Sequence, residues 1–240
     1  MAEVIQKEIW TDRTKNWTKD DILKLYKNPN IFQQDLSKYL NENFIQKNTK
    51  IIEVGCEAAG TSALLNQEAD IHLLDYNEHI IEIVKQAWNE KNLNAHFICA
   101  DMYNMPFENE YFDIIFNGGV IEHYNKSERY KIFKEYSKKL KPGGYMIIAY
   151  PNHHSLPYKI AYTIRTLTNR WPFPKELKIY DLKESILGLD LEFVSRTVLA
   201  KQTVFDWLGF WKWLKWSFEK LDNLFHFEGY LTVVVFKKLQ

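Results

Sequence analysis

The sequence predicts an α/β fold, a doubly wound and mostly parallel sheet with helices on both faces. Three observations predict it. Apolar runs of strand length alternate with helical patterns from position 50 to position 150, the rhythm of consecutive strand–helix units. The first run, KIIEV, feeds a turn of small residues, and the second, IHLLD, ends at Asp75. In a doubly wound sheet those two points lie side by side, at the crevice where nucleotide-like ligands bind. A final apolar run, YLTVVVF at 230–236, supplies a strand late in the chain.

The elements follow in order. Residues 18–27 and 31–46 read as two helices broken at Asn28-Pro29-Asn30, the second with an apolar face of Ile31, Leu36, Tyr39, Leu40 and Phe44. Strand 50–55, helix 61–67, strand 71–75, helix 78–91 and strand 95–99 come next. A fourth strand, FDIIFN at 112–117, precedes a helix at 127–140. Lys141-Pro142-Gly143-Gly144 is a turn, with proline setting the entry and glycine free to take positive φ. Strand 145–150 ends at Pro151. Residues 151–180 carry Pro151, Pro157, Pro172 and Pro174 around one helix near 158–168. An insertion at a strand's carboxyl end is where such folds build substrate lids. A helix at 181–188 and a strand at 191–199 resume the alternation.

Residues 205–227 are rich in tryptophan. Trp207, Trp211, Leu214, Phe218 and Leu221 share one face at helical spacing, while Phe210, Trp213 and Trp216 lie partly off it among Lys212 and Lys215. Packing or a lid over an apolar substrate, a contact between subunits, and a membrane-surface contact through 205–221 are the readings open to it. The whole chain reads as one domain: N-terminal helices at 1–48, a ligand-binding core at 49–152, and cap segments at 151–180 and 205–227.

Lysine plus arginine and aspartate plus glutamate both total 31, a net charge of zero. That balance lacks the basic excess of a nucleic-acid binder. Cys56 and Cys99 are too few for a disulfide scaffold and suit a reducing compartment. No apolar run marks a signal peptide or approaches the ~20 residues of a membrane span. A soluble cytoplasmic protein, monomer or homodimer, is expected.

The chemistry-bearing residues cluster at strand ends. The first turn keeps Gly55 and Gly60 but has Glu57 and Ala59 where such turns usually carry glycine, so no G-x-G-x-x-G fingerprint is present. Asp75, 22 positions after Glu53, can accept two ribose hydroxyls; a solvated strand-end aspartate is the plain alternative. Asp101 can accept from an adenine amino group, with Met102 against the ring, or can merely cap a loop. Asn117 ends the fourth strand, and Gly118-Gly119 permits close backbone approach. His123, beside Glu122, is either a base near neutral pH or a surface histidine. His153 and His154 follow the fifth strand; neighbouring histidines in extended chain diverge, which disfavours a metal site.

Taken together, IIEVGC, HLLDYN, ICADMYNMPFENEYFDIIFNGGVIEH and LKPGGYMIIAYPN resemble the class I S-adenosylmethionine-dependent methyltransferases, most of all the ubiquinone and menaquinone C-methyltransferase branch. The resemblance covers about residues 50–152. It implies a Rossmann-like seven-stranded sheet closed by an antiparallel last strand. It implies S-adenosyl-L-methionine as cofactor and S-adenosyl-L-homocysteine as product, and a small-molecule acceptor with an apolar or aromatic portion. It places Glu53, Gly55, Cys56, Glu57 and Gly60 around the methionine part, Asp75 on the ribose, Tyr76 beside the adenine, Asp101 and Met102 on the adenine, and Asn117 and Gly118 at the amino group. His123, His153 and His154 are candidate bases, and Tyr150 a candidate for positioning the acceptor. A carboxylate about 4 Å from the cofactor's own would cost ~4 kcal/mol, so Glu57 is expected to point away, toward a lysine or solvent. A non-catalytic binding or scaffold member is the alternative that Glu57 raises, and a nicotinamide-dependent oxidoreductase a more distant one.

Overall fold

The computed structural model describes residues 2–240, with side chains described from Gln6 onward. Seven strands form one sheet: β1 (Lys50–Val54), β2 (Asp70–Asp75), β3 (His96–Cys99), β4 (Phe112–Gly118), β5 (Leu140–Pro151), β6 (Leu191–Leu199) and β7 (Leu231–Lys238). Their spatial order is β3-β2-β1-β4-β5-β7-β6. The first five run parallel, and β7 pairs antiparallel with both β5 and β6. The expected antiparallel last strand is present, inserted between β5 and β6.

Both faces of the sheet are buried, which is why the strands read as nearly continuous apolar runs. Successive side chains alternate between faces. Ile51, Leu73, Ile114 and Phe116 enter one core with Trp88 and Leu36. Ile52, Leu74 and Ile115 enter the other with Phe133 and Tyr136. The helices over these faces are α1 (Ala2–Thr14), α2 (Lys19–Lys27), α3 (Ile31–Asn43), α4 (Glu78–Glu90) and α5 (Lys126–Lys139). Thr18 with Asp21, Asn30 with Gln33, and Asn125 with Glu128 form reciprocal caps at the starts of α2, α3 and α5, each satisfying backbone donors that a helix start leaves open.

A third layer packs α6 (Leu156–Leu167) against α7 (Lys201–Trp207) and α8 (Lys212–Phe225). Tyr158, Phe205, Leu208 and Phe218 are its buried centre. The tryptophan-rich segment is therefore two helices rather than one. Gly209 lies in the break, where an added Cβ would come within 2.9 Å of the Asp206 carbonyl. The expected Trp207–Trp211–Leu214 stripe does not form: Trp207 packs against Trp171 with the rings tilted, whereas Trp211 is 46% exposed.

Other expectations are corrected. The helix expected at 61–67 is one 3-10 turn, Ser62–Leu64, because the Ser62 hydroxyl is drawn to Glu53 and Leu65 is already extended. The helix expected at 181–188 is likewise one 3-10 turn, Lys183–Ser185, with Gly188 at φ +77° just beyond it. The helix expected at 31–46 ends at Asn43. The 141–144 turn is absorbed into β5, where the register shifts opposite Phe112 and Ile114. Helix α1 spans residues to which the sequence reading assigned no element.

Candidate functional site

A cleft open to solvent lies at the carboxyl ends of β1, β2 and β4. Its floor is the turn after β1. Gly55, Glu57 and Ala59 all have positive φ, at +70°, +42° and +49°. The left-handed turn is thus retained where two residues are not glycine, a conformation that costs an L-residue about 1–2 kcal/mol. Neighbours hold it there. Gly55 and Cys56 N–H donate to the Leu74 carbonyl, Glu57 N–H to Asp75 Oδ2 at 3.0 Å, and the Tyr26 hydroxyl to the Ala58 carbonyl at 2.6 Å. A side chain at Gly55 would meet Val120 Cγ2 at 2.9 Å, so this turn needs a bare Cα as well as positive φ.

Acidic groups surround the floor. Glu53 is buried and accepts from Ser62 Oγ at 2.5 Å; burial pushes its carboxyl up to about 7. Asp75 accepts N–H bonds from Glu57 and Asn77, one on each oxygen. Burial pushes Asp75 up, against the pull of those donors. Each of its oxygens keeps a further lone pair able to accept a hydroxyl.

Glu57 lines the cleft, and its charged partner is an arginine rather than a lysine. Arg13 Nε lies 3.6 Å from Glu57 Oε1. Helix α1 crosses the rim of the cleft and delivers this arginine, which also lies 4.8 Å from the Phe173 ring centre. Burial pushes the Glu57 carboxyl up, and the Arg13 charge opposes that shift. Helix α1 also supplies Lys7, whose ammonium lies 2.6 Å from Asp101 Oδ2, and whose carbonyl accepts from the Tyr76 hydroxyl at 2.7 Å. Trp10 and Thr14 complete the α1 side of the cleft.

The structure brings Glu53, Gly55, Cys56, Glu57, Gly60, Asp75, Tyr76, Asp101, Met102 and Gly118 to this cleft. Asn117 is turned away. Its Nδ2 donates to the Tyr136 hydroxyl at 3.3 Å beneath the sheet, and its Oδ1 is buried without a partner. The four catalytic candidates do not line the cleft. His123 is buried, donates from Nδ1 to the Lys175 carbonyl, and meets the Trp10 ring edge-on; burial lowers its pKa. His153 is buried against Glu176. His154 donates to the Tyr180 carbonyl at the surface. Tyr150 is buried, its phenol pushed up to about 12 by desolvation.

Sequence reading missed Lys7, Trp10 and Arg13, because α1 lacks a strong apolar stripe. It also missed Glu176, which only the fold of the cap brings beside His153. At the opposite end of the sheet, Asp70, His72 and His96 place possible ligand atoms within 4.8 Å of one another. The His72 and His96 rings stack with centres 4.4 Å apart, and the sequence reading expected no metal.

A family model for the methyltransferase domain matches residues 51–144. Over 101 residues the chain is 32% identical to the probable tRNA methyltransferase 9B of Mus musculus, covering 41% of this chain and 21% of that protein. Over 128 residues it is 27% identical to the ubiquinone biosynthesis O-methyltransferase of Coxiella burnetii, covering 53% of each. The chain thus spans between about a fifth and about half the length of these curated relatives. Among solved structures it is similar to a putative sarcosine dimethylglycine methyltransferase from Galdieria sulphuraria, with a TM-score of 0.60 and 14% identity over 85% of both chains. It is also similar to geranyl diphosphate C-methyltransferase from Streptomyces coelicolor A3(2), with a TM-score of 0.60 and 12% identity over 85% of this chain and 78% of that one. That structure contains Mg2+, geranyl diphosphate and S-adenosyl-L-homocysteine. At these identities the likeness is one of fold.

Proposed function

We propose, from the match of residues 51–144 to the methyltransferase-domain model and the likeness of the fold to solved methyltransferases, that the chain transfers a methyl group from S-adenosylmethionine to a small, partly apolar acceptor. The observation that carries this reading is Asp75. It is a buried carboxylate at the end of β2, held by two backbone N–H groups beside a glycine turn, the arrangement that suits ribose hydroxyls. The residues fit such a cofactor: Asp75 would take the ribose, Asp101 and Met102 the adenine, and the 55–60 turn with Glu53 the amino-acid end.

The cofactor, when bound, supplies an already activated methyl group. The chain's part is then to align the acceptor and exclude water. Arg13 favours the cofactor by neutralising Glu57, whose charge would otherwise repel the cofactor's carboxylate. Trp10 and Tyr124 add aromatic surface to the cleft lining. The zero net charge supports a small-molecule acceptor over a nucleic acid, despite the tRNA methyltransferase relatives. Two free cysteines suit a cytoplasmic setting, and no helix among the described residues is long and apolar enough to cross a membrane.

Titration calorimetry with S-adenosylhomocysteine tests the reading. Binding at micromolar affinity, weakened at least tenfold by Asp75→Asn, is expected. Binding of NAD with no binding of S-adenosylhomocysteine would sink it.

A further inference from the structure

Helix α8 packs on the cap through Leu214 and Phe218, and a second apolar stripe is turned away from that contact. Trp213, Trp216, Lys220, Leu221 and Leu224 fall at i, i+3, i+7, i+8 and i+11, which is a single helical face. All five side chains are exposed. Trp213 is 65% exposed and Leu224 71%, far above the level of packed apolar residues. Trp211, just before the helix, extends the patch, its ring stacked on Trp213 with centres 6.0 Å apart. The three exposed tryptophans among the described residues therefore lie together at this one place. A contiguous patch of large apolar side chains on a surface marks something that covers it.

The charges around the stripe say what that is. Lys215 pairs with Asp206 at 2.6 Å and with Glu219 at 3.8 Å, and Lys201 pairs with Asp222 at 2.8 Å. Every acid of residues 201–227 is thus matched by a lysine within the cap layer. Lys212 and Lys220 are exposed, and among the described residues neither has a carboxylate within ion-pair distance. The unmatched charge on this face is positive. The same bias runs through the layer: residues 151–180 and 201–227 together carry nine basic and four acidic side chains, in a chain whose charges total zero. A second copy meeting this face across a two-fold axis would bring lysines to lysines, with no acid on the stripe to oppose them. An anionic bilayer does the reverse. Its headgroups take the lysines, its boundary takes indole rings with their N–H toward water, and its acyl chains take the leucines.

We propose that α8 is an interfacial helix, which lies flat on an anionic phospholipid bilayer with the Trp213–Leu224 stripe in the headgroup–acyl boundary. Trp213, Trp216 and Leu224 enter that boundary, while Lys212 and Lys220 extend their stems along it and keep their ammonium groups among the phosphates. At 14 residues the helix is shorter than the ~20 that a span requires, so it rests on the surface. None of these side chains lines the cofactor cleft. The cap layer links the two places all the same. Trp171 packs on both Trp207 and Phe173, and Phe173 lies on the Arg13 guanidinium at the rim of the cleft. Docking through α8 would hold the cleft one packed layer from the bilayer, where partly apolar compounds collect. The docking itself neither needs nor tests the methyltransferase reading.

The test uses the whole chain and vesicles of two compositions, phosphatidylcholine alone and phosphatidylcholine with one-third phosphatidylglycerol. Protein that floats with the vesicles through a density gradient is measured at low and at high salt. Flotation with the anionic vesicles should exceed that with the neutral ones at least tenfold, and high salt should release the protein. Trp213→Ser combined with Trp216→Ser should lower flotation at least tenfold. Lys212→Glu combined with Lys220→Glu should do so independently, and decides the matter should the tryptophan variant fail to fold. Leu187→Ser removes an exposed apolar side chain outside the cap helices and should change flotation less than twofold. No flotation, equal flotation with both compositions, or an equal loss with Leu187→Ser overturns the proposal. A dimer in sedimentation that the paired tryptophan substitutions dissociate also overturns it, and gives the face to a second copy. All of these outcomes leave the cofactor reading to its own calorimetric test.

Discussion

Replacing Glu53 with glutamine should make the chain's stability less dependent on pH. Glu53 is 6% exposed on a central strand, and its main partner is the Ser62 hydroxyl. Burial raises its carboxyl from 4.5 to about 7. A raised pKa means the folded state holds the proton more tightly than the unfolded chain. The stabilisation is fully present below pH 4.5 and is lost as pH rises toward 7. At 1.36 kcal/mol per pH unit, the gap from 4.5 to 7 amounts to about 3 kcal/mol. Glutamine keeps a carbonyl oxygen for Ser62 and cannot ionise. Urea unfolding of both proteins from pH 4.5 to 8 isolates the effect, since carboxylates common to both largely cancel in the difference. The variant should gain about 3 kcal/mol on the parent across that range. A relative change under about 1 kcal/mol would mean that Glu53 ionises freely, and the burial argument would fail.

Other outcomes follow from particular contacts. Asp75→Asn leaves one of two backbone N–H groups without an acceptor and should destabilise the fold by about 1–2 kcal/mol, besides weakening S-adenosylhomocysteine; thermal unfolding reads the first effect separately. Gly229→Ala would place a Cβ 2.3 Å from the Leu199 carbonyl, a backbone clash that should cost about 2–3 kcal/mol in denaturant unfolding. Trp213→Ser and Trp216→Ser should change stability by less than about 0.5 kcal/mol, because these side chains are 65% and 60% exposed. A larger loss would place them in the core of the cap.

Strand-level features were legible because both faces of the sheet are buried. That demand writes apolar runs directly into the chain at 50–55, 71–75 and 112–117. Asp75 was legible for the same reason: the strand must end where its apolar run ends, and the carboxylate stands at that point. Glu57 was legible as an anomaly but not as a solution. Its positive φ belongs to the turn, and its counter-charge comes from Arg13, 44 positions earlier in the chain. The helix pairing at 205–227 was misread because a shared helical face assumes an unbroken helix, and Gly209 interrupts it. His153 looked like a cleft residue because it follows β5, yet the cap folds over it and turns it to Glu176.

By itself, the sequence determined the sheet, the turn after its first strand and the acids at its strand ends, since local periodicity and turn chemistry act over a few residues. Only the tertiary structure decided what each acid meets. Lys7 reaches Asp101 and Arg13 reaches Glu57 from α1, and Glu176 arrives beside His153 through the cap. Those encounters join residues far apart in the chain. They depend on how helices lie across the sheet, which is decided by packing rather than by any neighbouring residue.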